Sequence, residues 1–119
     1  MTEPMSADPL SLSDGLRRCF GNKELLHRLL RLFVDQQRDV ANQIELAIRG
    51  SSTDRAIVLA HGLVSRAGAI GATPLSGLAS VLENALRDSL DSVAALAATL
   101  REEHGRVLRA ASDHLRDLR

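Results

Sequence analysis

Apolar residues recur along this chain at three- and four-residue intervals in four long segments, preceded by one short one. The short segment runs from about Ser11 to Phe20 and stops at Gly21-Asn22. A long one follows from Lys23 to Arg49, with Leu26, Leu29, Leu30, Phe33, Val40, Ile44, Ala47 and Ile48 on one helical face. Gly50 suits the residue just past a helix end, and Ser52 or Thr53 can cap the next start. The next segment covers Asp54 to Ile70 and stops at Gly71-Ala72. Thr73-Pro74 then reads as N-cap and first helical residue, opening a helix through Leu75, Leu78, Leu82 and Leu86. After a turn over Asp88 to Ser92, a last helix begins near Val93 and continues through Leu100, Val107, Ala111 and Leu118. Amphipathic helices joined by short connections predict an all-α, antiparallel up-down four-helix bundle with an extra short N-terminal helix. Residues 1–10 are expected to be a flexible lead and residues 11–119 the helical domain.

Composition narrows the function. Fifteen basic residues balance fifteen acidic ones and aromatics make up 2%, which argues against a nucleic-acid partner. Cys19 is the single cysteine, expected to be buried and apolar in a reducing, cytoplasmic setting. No apolar run approaches the roughly 20 residues of a membrane span, so no membrane contact is expected of this segment. No two histidines stand at the spacing of a helical metal pair, so no metal site is expected. No glycine-rich phosphate loop follows a strand, so no ATP site and no enzyme in its own right are expected. Glu102-Glu103-His104 reads as a solvated helix face, and the arginines of the last helix read as exposed partners of nearby acids.

The stretch AHGLVSRAGAIGA carries the candidate chemistry. At about 100° per residue, Ala56, Leu59, Leu63, Ala67 and Ile70 lie roughly 160–240° from His61, so the histidine faces out of the bundle. Ile57, Val58, Val64, Ser65 and Gly68 share its side, an apolar and small-residue patch that fits a docking surface. Gly62 and Gly68 each cost a helix up to about 1 kcal/mol, a cost that close approach of another backbone would explain. A bundle dimer with this patch as its interface fits the spacing equally well. Arg66 lies about 140° from His61, on the flank, and receives no role. Gln36 and Gln37 interrupt the apolar stripe of the Lys23 to Arg49 segment, and the Gln36 amide is placed to orient the imidazole.

AHGLVSRAGAIGATPLSGLASVLENAL resembles the phosphorylation region of histidine phosphotransfer (HPt) domains. Their pattern is Ala-His, then Leu-Lys-Gly, then small residues ending in Ile/Leu-Gly-Ala, with Leu, Ala and Leu-Glu on the following helix. Here these are Ala60-His61, Leu63, Ile70-Gly71-Ala72, Leu75, Ala79 and Leu82-Glu83. Upstream, FGNKELLHRLLRLFVDQ is similar to the family's Gly-Asx pair and Leu-rich run ending in Phe. The resemblance implies that His61 is a phosphoacceptor, taking a phosphoryl group from one receiver aspartate and passing it to another. The implied partners are response-regulator receiver domains and a hybrid sensor histidine kinase. It implies no cofactor of the chain's own, with Mg²⁺ expected on the partner receiver. Two positions depart from the pattern: Val64 stands for the lysine and Ser65 for the glycine. Val64 cannot supply charge, whereas Ser65 is small enough to permit docking. A docking module that binds receivers without transfer is the alternative.

Overall fold

A computed structural model describes residues 8–118, and within them the chain is all helical. The elements are α1 Leu12–Arg18, α2 Lys23–Gln36, α3 Val40–Arg49, α4 Thr53–Ala69, α5 Thr73–Arg87 and α6 Val93–Arg116. Helix α4 packs most extensively on α5, α5 on α6, and both α2 and α3 on α6, while α3 also meets α4. Leu30, Ile44, Leu63, Ile70, Leu75, Leu82, Leu100 and Val107 fill the middle. Each such side chain contributes about 1.5–3 kcal/mol by leaving water. Among the described residues no helix is long and apolar enough to cross a membrane.

The segment expected to be one helix from Lys23 to Arg49 is two, split at residues 37–39. The apolar face runs on across the break because Phe33 and Val40 are seven residues apart, nearly two helical turns. In an unbroken helix the Gln37 carbonyl would accept from the amide four residues on. Instead it accepts from His104 Nε2 of α6 at 2.7 Å and, in a turn, from the Val40 amide at 3.4 Å. The His104 ring also packs on Phe33, with centroids 6.2 Å apart.

His104 therefore corrects the expectation of a solvated Glu102-Glu103-His104 face: Glu103 and His104 are both buried. Glu103 is compensated by Arg106, 3.0 Å away. Arg101 reaches across to pair with Glu45 of α3, and Arg116 pairs with Asp113 within α6. Arg119 lies outside the described residues.

Helix ends differ from expectation by single residues. The left-handed residue after α3 is Ser51 (φ 59°), not Gly50. Ser52 stands at the N-cap of α4 without a side-chain cap bond. Ala72 is the N-cap of α5, which makes Thr73, not Pro74, the first helical residue.

Helix α1 is seated by close backbone packing. Ser11 caps it by accepting from the Asp14 amide, and the Ser11 amide donates to the Gly71 carbonyl at 2.9 Å. Gly71 is left-handed (φ 84°), and a Cβ there would collide with the Ser11 carbonyl. A Cβ on Gly15 would come within 2.7 Å of the Ile70 carbonyl. Cys19 is buried at the end of α1, whereas Phe20 beside it is almost fully exposed. Leu10, within the expected lead, is partly buried against the core; residues 1–7 of that lead lie outside the described residues.

Candidate functional site

Five residues fix the rotation of α4: Ala56, Ala60, Leu63, Ala67 and Ile70 are all buried, Ile70 at the helix C-cap. Alanines predominate on this face and let α5 approach closely. With that face committed, His61 projects outward, its side chain 71% exposed. Helix α5 is fixed in turn by Leu75, Ala79, Leu82 and Leu86, which leaves Glu83 on the flank toward α4. Its start is also tied to α4, because Ser76 Oγ donates to the Val64 carbonyl at 2.8 Å.

These two rotations bring His61 and Glu83 together. His61 Nδ1 lies 3.1 Å from each carboxylate oxygen of Glu83. One turn on, Arg87 donates to Glu83 Oε2 from Nε at 3.1 Å and from Nη2 at 2.8 Å. The Arg87 hydrogen bonds hold the Glu83 carboxyl below its ordinary range, helped by His61 and opposed by partial burial. An ionised carboxylate only accepts, so the hydrogen belongs on His61 Nδ1, and Nε2 keeps its lone pair. The arrangement presents a nitrogen nucleophile on an exposed ring whose other nitrogen is anchored.

A groove runs beside the histidine between α4 and the α2–α3 break, lined among others by Gln36, Gln37, Val58, His61, Gly62 and Arg66. Gln36 is thus in the groove and exposed, but the orienting contact expected of it is made from α5 by Glu83. Ser65 is exposed and makes no side-chain hydrogen bond among the described residues; it lines adjoining depressions with Leu29 and Phe33 on one side and Gly68 on the other. Val58 is 69% exposed, whereas Ile57 and Val64 are half-buried against the core. The apolar part of the patch is therefore narrower than the wheel implied.

Of the described residues, no other helix's backbone is among the atoms nearest a Cβ built on either glycine. Gly68 faces Ser76 Oγ at an ordinary 3.5 Å. At Gly62 a Cβ would run into the guanidinium of Arg66, which lies back over the preceding turn. Helical side chains lean toward the N-terminus, so a residue counted on the flank can cover the position four before it.

Sequence reasoning passed over Glu83 as a site residue. Its signal was the Glu83/Arg87 pair at i, i+4, on the edge of the Leu75, Leu82, Leu86 stripe. Among the described residues no group of three His, Cys, Asp or Glu side chains could hold a metal ion. A family model, that of the Hpt domain, matches residues 28–117 of the chain. Comparison with curated proteins finds no match.

Proposed function

The chain belongs to the Hpt-domain family, modules of two-component phosphorelays, and on that premise we propose that His61 is its phosphoacceptor. The observation that carries this reading is the Glu83 carboxylate on Nδ1 of an exposed imidazole. The Nε2 lone pair attacks the phosphorus of a receiver's aspartyl phosphate. The new N–P bond forms as the P–O bond breaks and the aspartate leaves as carboxylate. The hydrogen on Nδ1 stays in place, and Glu83 offsets the positive charge that the phosphorylated ring acquires. Transfer onward reverses the same bond changes on a second receiver.

Phosphoryl transfer rests on alignment and charge neutralisation more than on covalent machinery. The chain's part is to present the nucleophile on a surface that a receiver fits, around Val58, Gly62 and Ser65 on α4. Mg²⁺ at the receiver's own acidic pocket supplies neutralisation of the phosphoryl oxygens. We read the packing pairs as an antiparallel four-walled bundle, α2 and α3 together forming one wall, with α1 seated on its end. The proposed partners are receiver domains and a hybrid sensor kinase, in the cytoplasm.

The test is transfer from a phosphorylated receiver to the purified chain and to His61→Gln. Acid-labile, base-stable phosphate on the first and none on the second is expected. Val64 favours a second reading, docking without transfer, since its half-buried side chain leaves that position without charge. Receiver binding that survives His61→Gln, with no phosphate on the unaltered chain, would establish it.

A further inference from the structure

The groove beside His61 has the composition of an anion seat. Its lining is apolar or amide apart from His61 and Arg66; it contains no acid, and Arg66 is its only arginine or lysine. Among the described residues Arg66 has no acidic partner, unlike Arg87, which is bound through two nitrogens to Glu83. Gln36, Gln37 and Gln43 line the same groove, and their side-chain amides make no hydrogen bond among the described residues. The guanidinium lies over Gly62, on the turn carrying His61, where an added Cβ would crowd the far end of this flexible side chain.

A phosphoryl group on His61 adds about two negative charges beside the existing charge of Glu83. Arg87 already answers Glu83, and Val64 offers nothing. Guanidinium groups bind phosphoryl oxygens through a planar fork of donors. We infer that Arg66, seated on Gly62, is the cation that holds the phosphoryl group on His61. A side chain at position 62 would crowd that cation, while glycine there costs the helix up to about 1 kcal/mol. The inference rests on His61 being the phosphoacceptor, and it adds the group that stabilises the product.

The experiment uses phosphoramidate, a small phosphodonor, so that no receiver is needed. Its P–N bond breaks as the histidine N–P bond forms, and ammonia leaves. Phosphohistidine is followed by ³¹P NMR on the unaltered chain, His61→Gln, Arg66→Gln, Arg66→Lys and Gly62→Ala. Arg66→Gln is expected to slow phosphorylation about threefold to tenfold and to raise the phosphoryl titration midpoint by about half a pH unit, a nearby cation favouring the dianion. Arg66→Lys should restore part of both. Gly62→Ala should shift phosphorylation and titration the same way as Arg66→Gln while melting at a higher temperature, because alanine is the better helix former. A merely structural role would not move stability and phosphoryl binding in opposite directions. Unchanged rate and midpoint in both Arg66→Gln and Gly62→Ala would overturn the assignment and leave His61 as acceptor. No phosphohistidine beyond that of His61→Gln would overturn both.

Discussion

A neutral histidine has two tautomers, and only one leaves Nε2 free to attack. In this chain the choice is made by Glu83, 3.1 Å from Nδ1, and Glu83 is itself held by Arg87. On the proposed reading, Glu83→Gln removes the charge that fixes the tautomer and would offset a phosphorylated ring. It is expected to slow phosphohistidine formation from a phosphorylated receiver about tenfold, the order of one hydrogen bond to a charged group at a solvated position. Arg87→Gln should slow it less, since the carboxylate remains. Initial rates at saturating receiver separate the two. His61 itself was legible at this scale, because its wheel position depends only on spacing along α4. Glu83 was not, because a contact between residues 61 and 83 depends on how far α4 and α5 are each rotated. Arg66 was missed for a local reason: its direction from the helix axis was counted, and its lean along the axis was not.

At the scale of elements, the helices were readable from periodicity and their seams were not. The α2–α3 break hides behind an unbroken apolar face, and the carbonyl at its edge is bound by His104, a residue of α6. The seat of α1 gives a testable contrast between glycines. Gly15→Ala places a methyl group 2.7 Å from a backbone carbonyl that cannot swing aside. It is expected to cost about 1–3 kcal/mol, as overpacking does. Gly71→Ala should cost at least as much, since it combines a collision with a left-handed backbone. Gly77→Ala, in exposed α5 with nothing within 4 Å, should instead gain about 0.5–1 kcal/mol. Urea midpoints of the three variants check the ordering.

At the scale of the molecule, the buried imidazole of His104 ties α6 to the end of α2 and makes stability depend on pH. Burial holds its pKa below the ordinary 6.5, with Arg101 acting in the same direction and the Gln37 carbonyl and Asp39 opposing. The unfolded chain therefore takes up its proton first. Stability is full above pH 6.5 and is lost as pH falls below it toward the folded value. His27 adds to the same trend, lowered by burial first and then by His114, whose ring lies 5.4 Å away, and by Arg31 and Lys23. Urea midpoints taken from pH 8 to pH 5 should fall, and His104→Gln should be less stable at pH 8 yet show a shallower decline. An equal decline in both would place the pH dependence elsewhere.

By itself the sequence determined the all-helical class, the positions of the long amphipathic segments and the outward direction of His61. These depend on residues within a few turns of one another, and spacing along one chain encodes them. Only the tertiary structure decided that Glu83 anchors the imidazole, that His104 is buried against the break between α2 and α3, and that Gly15 and Gly71 admit α1. Each of those depends on the relative rotation and depth of two helices. Many side chains far apart in the chain set those jointly, so no local pattern records them.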